Sequence, residues 1–95
     1  MIRYTVVWDA DMESKFLEAW LAGDSRSRPL LTEIADWIDT QLATDPEQKG
    51  RTTSEPNVRV LAIPVSTSGA RVSVTFQVMS QDRQVRVVRI LFRGR

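Results

Sequence analysis

The chain has no cysteine, no histidine and a single tyrosine, Tyr4, in 95 residues. Lack of cysteine excludes disulfides, thiolate chemistry and cysteine-ligated zinc, and lack of histidine removes the commonest general base and metal ligand. Any catalysis must therefore draw on carboxylates, hydroxyls, lysine, arginine or Tyr4. No apolar run approaches the ~18 residues of a membrane span, and the opening stretch MIRYTVVWDAD has none of the three regions of a signal peptide. A cytoplasmic protein is the expectation. Nucleotide signatures are missing as well: there is no GxGxxG and no GxxxxGK, and no paired histidines, so neither cofactor nor metal is expected.

What remains is an ordinary globular composition, 42% hydrophobic and 26% charged, with length for one domain and one core. The net charge of +1 hides an asymmetry. Residues 1 to 48 carry four basic and ten acidic side chains, whereas residues 71 to 95 carry six arginines against Asp82 alone. A positive C-terminal part suits an acidic or phosphate-bearing partner; arginine on exposed strand positions is also a common device for protecting a sheet edge.

Along the chain, Ile2 to Trp8 alternates as a strand, with Ile2, Tyr4, Val6 and Trp8 on one side. Asp9 is a plausible N-cap for a helix running to Ala22, with Asp11 and Glu13 in its first turn and Met12, Phe16, Ala19 and Trp20 on one stripe; Gly23 stops it. A second helix begins near Pro29 and repeats Leu31, Ile34, Ala35, Ile38 and Leu42 at three- and four-residue spacing until Asp45-Pro46. The acids Asp36 and Asp39 on it read as a solvated face rather than a carboxylate site. Asp45 to Asn57 has no large apolar residue and is expected to be a mobile loop. Val58 to Val65 is a strand blurred by Pro64, which points to an edge or a bulge.

The last third is a strand hairpin, ARVSVTFQVM, turn SQDR, QVRVVRILFRGR. A turn centred on Gln81 and Asp82 sets Val78 opposite Val85, Phe76 opposite Val87 and Val72 opposite Leu91, making one dry face. The other face shows Arg71, Ser73, Thr75, Gln77 and Arg86 beside Val88, Ile90 and Phe92. That register leaves Arg89 opposite Val74 on the core side, a conflict the sequence alone leaves open. The element order, β-α-α-β-β-β, implies a two-layer α+β domain with a helical hairpin on one face of a mainly antiparallel sheet.

Tyr4-Thr5-Val6-Val7-Trp8 before the first helix, Leu42-x-x-Asp45-Pro46-x-x-x-Gly50-Arg51 after the second, Arg59-Val60-Leu61, Val74-Thr75-Phe76-Gln77-Val78, and the ending Val85-Arg86-Val87-Val88-Arg89-Ile90-Leu91-Phe92-Arg93-Gly94-Arg95 together resemble the RelE/ParE superfamily of type II toxins. The ending is similar to the ParE type, with Phe92 in place of a histidine. The resemblance implies a toxin neutralised by an antitoxin protein and directed at DNA gyrase or at messenger RNA on the ribosome. RelE-like cleavage implies a basic cluster with a C-terminal tyrosine or histidine, which this chain lacks, and arginine is a poor general base at neutral pH. The ParE-like reading is thus preferred: Arg59, Arg71, Arg86, Arg89, Arg93 and Arg95 bind the target, and Trp20 and Leu21 on the helical hairpin meet the antitoxin. The alternatives are a ribosome-dependent endoribonuclease and a protein-interaction domain without toxicity.

Overall fold

The computed structural model describes residues 3–23, 25, 27–64 and 71–93. β1 (Thr5–Trp8) turns its alternate residues Val6 and Trp8 inward, and Asp9 then caps α1 (Ala10–Ala22), its carboxylate accepting from the Asp11 amide at 3.1 Å. Trp8 meets Phe16 of α1 edge to face, with ring centroids 5.2 Å apart. α2 (Ser27–Leu42) starts two residues ahead of Pro29, which its first turn tolerates because no amide is needed there. Arg28 ties the helices: its guanidinium lies 4.8 Å from the Trp20 ring centre and donates to the carbonyls of Trp20 and Leu21, both at 3.0 Å.

The stretch after α2 is more ordered than its composition suggests. A 3-10 turn at Pro46–Gln48 leads into a two-residue strand, β2 (Arg51–Thr52), paired antiparallel with β3 (Val58–Pro64). Gly50 at φ 68° makes the approach: a Cβ there would stand 2.2 Å from the Val60 carbonyl oxygen. Among the described residues the outer edge of β3 beyond Val60 has no partner strand, so Pro64 costs no ladder bond there. β4 (Arg71–Met79) and β5 (Gln84–Arg93) form the hairpin, and β1 pairs parallel with β5, giving the sheet order β1-β5-β4-β3-β2. This is the α+β arrangement expected, with a short fifth strand added and one parallel pair at the edge.

Both helices cover the same sheet face. Ile34, Ile38 and Leu42 of α2 pack on Ile63, Val72, Val74, Phe76, Val78, Val85, Val87 and Ile90, with Ile38, Phe76 and Val74 wholly buried. Trp37 packs on this core from its margin.

The hairpin register corrects the sequence reading at one point. Val78 opposes Val85 and Phe76 opposes Val87, as expected, but Thr75 then opposes Arg89, so Val88 is an extra residue without a partner. This β-bulge shifts the phase of β5 by one. Val72 consequently faces Phe92 rather than Leu91, Ile90 enters the core opposite Val74, and Leu91 turns outward, 38% exposed. Burying an unpaired guanidinium in an apolar core is far costlier than one irregular ladder step, and the bulge removes that conflict.

Candidate functional site: the open face of the sheet

The sheet face away from the helices is built by strand alternation. The register aligns Val7, Arg86, Gln77 and Val58 in one row, and Arg89, Thr75, Val60 and Arg51 in the next. Arg51, Arg86 and Arg89 are exposed, while Thr75, Gln77, Val58 and Val60 between them are half-buried. At the usual strand spacing, Arg89 and Arg51 mark the ends of a row about 14 Å long. The five strands contain no aspartate or glutamate, whereas α1 and α2 carry Asp11, Glu13, Glu18, Glu33, Asp36 and Asp39. The fold thus separates charge into an acidic helical layer and a basic sheet face, and a surface of one sign raises the local concentration of opposite charge.

Of the arginines named from sequence, Arg86 and Arg89 come together here. Arg59 does not: it opposes Phe76 and so lies on the helix-covered side, where its Nε donates to the Lys49 carbonyl at 2.7 Å and its Nη2 to that of Gly50 at 3.2 Å. Its role is to hold the approach to β2 against the sheet. The register sets Arg71 across from Arg93, and Arg95 lies outside the described residues. Arg51, not singled out from sequence, joins the open face in the place expected of Arg59, because Arg51 pairs with Val60 while Thr52 pairs with Arg59. Nothing local in a polar loop signals this; only the pairing with β3 does.

Lys49 and Tyr4, two candidates for proton transfer, are engaged elsewhere. Lys49 Nζ donates at 2.6 Å to the Gln41 carbonyl, satisfying the end of α2. Tyr4 donates at 2.5 Å to Glu47, which also accepts from Ser80 Oγ at 3.0 Å. The hydrogen bond to Glu47, then burial and the carboxylate's charge, raise the Tyr4 phenol above its ordinary value, against the opposing pull of Ser80 and Arg83. The same donation from Tyr4, then that from Ser80, holds the Glu47 carboxyl below its ordinary value; burial opposes this, and Arg59 adds to it. Both are locked in a joint between β1, the 3-10 turn and the β4–β5 turn, on the helix side. Among the described strand residues the open face offers arginine, threonine, serine and glutamine, but no lysine, tyrosine or carboxylate.

On the helical hairpin, Trp20 and Leu21 part company. Trp20 donates from Nε1 to Thr32 Oγ1 at 3.1 Å beneath Arg28 and is thereby tied into the joint between the helices. Leu21 stands 59% exposed, one turn from Leu17 at 55%. Among the described residues no cluster of metal-ligating side chains is present, and no helix is long and apolar enough to cross a membrane.

Solved structures share this arrangement. A chain of the chromosomal ParDE toxin–antitoxin system from P. aeruginosa superposes with a TM-score of 0.71 over 100% of both chains, at 18% identity. The chain has the RelE/ParE toxin fold. The toxin–antitoxin complex RelBE2 from Mycobacterium tuberculosis gives 0.65 over 100% of this chain and 97% of that one at 13% identity. Free E. coli RelE, in a mutant form, gives 0.59 over 93% and 81% at 16% identity. No protein-family model matches the sequence, and neither does any curated protein. At such identities the likeness carries the fold, which is the fold the sequence motifs implied.

Proposed function

We propose that the protein is the toxin of a type II toxin–antitoxin module, cytoplasmic, and that it acts by binding a macromolecular target such as DNA gyrase rather than by cutting RNA. The observation that carries this reading is the chemistry of the open face: exposed Arg51, Arg86 and Arg89, with no lysine, tyrosine or carboxylate among the described strand residues that share it. Arg71, Arg93 and Arg95 belong to the same proposed binding set by their place in β4, β5 and the tail. Arg59 is assigned instead to holding the loop. The partner is an antitoxin protein, consistent with the toxin–antitoxin complexes that share the fold. It meets the hairpin at Leu21 and its exposed neighbour Leu17; Trp20 sits beside them but is bound internally.

General acid–base help is worth about 100- to 10,000-fold in rate, so a face without it supports at most feeble ribonuclease activity. The test is expression without a partner, followed by primer extension on cellular messenger RNA beside a gyrase supercoiling assay. Loss of supercoiling with intact transcripts is expected. Codon-positioned cleavage with normal supercoiling overturns the reading in favour of a ribosome-dependent endoribonuclease; a protein inert in both assays is an interaction domain.

A further inference from the structure

The helical surface and the open sheet face carry opposite charge on opposite sides of one molecule. On α2, Glu33, Asp36 and Asp39 are exposed, and from Pro29 to Leu42 the helix holds no lysine or arginine. Asp39 accepts from Trp8 Nε1 at 3.0 Å, whereas Glu33 and Asp36 lie one turn apart, where like charges oppose each other. Glu18 adds an exposed acid on α1, between exposed Leu17 and Leu21. On the open face, Arg51, Arg86 and Arg89 stand around a floor that is partly aliphatic: Val58 and Val60 are half-buried there, and Val7 and Leu91 are exposed. A sheet covered on one face, with aliphatic side chains on the other, has room for a second helical layer.

We propose that a second copy of the chain supplies that layer: the helical surface of one molecule stacks on the open sheet face of the next, Glu18, Glu33 and Asp36 meeting Arg51, Arg86 and Arg89. Charge selects this arrangement. Sheet on sheet sets arginine against arginine, helices on helices set acid against acid, and contact between like charges suppresses both symmetric pairings. Only the unlike pairing relieves both faces. Because those faces belong to opposite sides of the molecule, the contact is heterologous: each copy keeps one free face, and assembly grows head to tail. Size limits its strength. The open face spans about 14 Å across four strands and about 20 Å along them, a footprint below the ~800 Å² per partner of a standard stable interface, so the contact is weak and reversible. At a net charge of +1 per copy, a stack gathers little repulsion as it grows. Stacking covers the face proposed to meet the target and the leucines proposed to meet the antitoxin, so it competes with both, but it depends on neither: it uses only the separation of charge in the fold.

Sedimentation velocity over a concentration series, on the full chain freed of nucleic acid by nuclease and high salt, tests this. The average mass is expected to climb with concentration past that of a dimer, and association to weaken about tenfold between about 0.05 and about 0.5 M salt. Two neutralised proteins fix the geometry, one with Arg51→Gln, Arg86→Gln and Arg89→Gln, the other with Glu18→Gln, Glu33→Gln and Asp36→Asn. Each alone should be monomeric. Their mixture should give a one-to-one dimer that grows no further, because the intact helical face of the first can meet only the intact sheet face of the second. Amide chemical shifts followed on dilution need no variant: Thr75, Gln77 and Arg89 should move in step with Glu33 and Asp36. A parent that stays monomeric or stops at a dimer, a mixture that forms no dimer, association that vanishes with the nucleic acid, or shifts on one face alone would overturn the proposal. So would dimers of both neutralised proteins alone, which mark a symmetric contact through Leu17 and Leu21. None of these readouts involves gyrase or messenger RNA, so failure here leaves the toxin reading standing.

Discussion

Arg59 and Arg89 look equivalent in sequence, both arginines in apolar strands, yet the structure gives them opposite work, and replacing each by alanine separates the two. Arg59 makes two charge-assisted bonds, at 2.7 Å to Lys49 and 3.2 Å to Gly50. Such bonds are worth about 1.5–3 kcal/mol each when sheltered. The second is exposed and long, and water can re-solvate both carbonyls once the side chain is gone, so a net loss of about 1–2 kcal/mol is expected. For a domain of this size that lowers Tm by roughly 4–16 °C. Arg89, exposed on the open face, should change Tm by no more than about 4 °C while removing function, since surface substitutions mostly stay within about 0.5 kcal/mol. Thermal melts by circular dichroism, run beside growth arrest on induction at a permissive temperature, give both readouts. An Arg59→Ala protein that melts like the parent, or an Arg89→Ala protein that loses stability to the same degree, would refute the division of roles.

Ile38→Ala removes a fully buried side chain from the middle of α2, with Val and Phe walls that cannot collapse freely, and should cost about 3–4 kcal/mol in a urea titration. Gly50→Ala forces an L residue into φ 68° and its methyl against the Val60 carbonyl; the β2–β3 pairing should open, seen as faster amide exchange at Val60 and at Thr53, whose amide donates to the Val58 carbonyl, than in the parent. The Tyr4–Glu47 joint gives stability a pH profile with two limbs. Glu47, held low in the fold, contributes fully above the ordinary carboxylate range and loses its contribution as pH falls through its folded value; Tyr4, held high, contributes fully below the ordinary phenol value and loses it as pH rises through its folded one. Urea midpoints should therefore be flat between about pH 5 and 9 and fall on either side, and Glu47→Gln should flatten both limbs relative to the parent.

Much of the fold can be read locally because periodicity reports burial directly. The two-residue alternation of Val72, Val74, Phe76 and Val78, and the helical spacing of Ile34, Ile38 and Leu42, each name a face that must be covered, and the structure covers both with one core. The N-cap at Asp9 and the stop at Gly23 follow from short-range hydrogen bonding and hold as well. The absence of histidine and cysteine, which restricts the chemistry, needs no structure at all.

Position on a face is another matter, since it depends on pairing between strands far apart in the chain. One extra residue, Val88, moves Arg89 out of the core and Ile90 into it; alternation counted along β5 alone cannot see this, because the cost that forces the bulge is paid against β4 and the helices. Arg51 takes the place expected of Arg59 for the same reason: a two-residue strand in a polar loop is stabilised by the neighbour it pairs with, not by its own propensity. Composition leaves lysine and Tyr4 among the possible bases, and only tertiary contacts, of Lys49 with the end of α2 and of Tyr4 with Glu47, withdraw these two. Residue types set what this surface could do; the register across the sheet decided which of them share it.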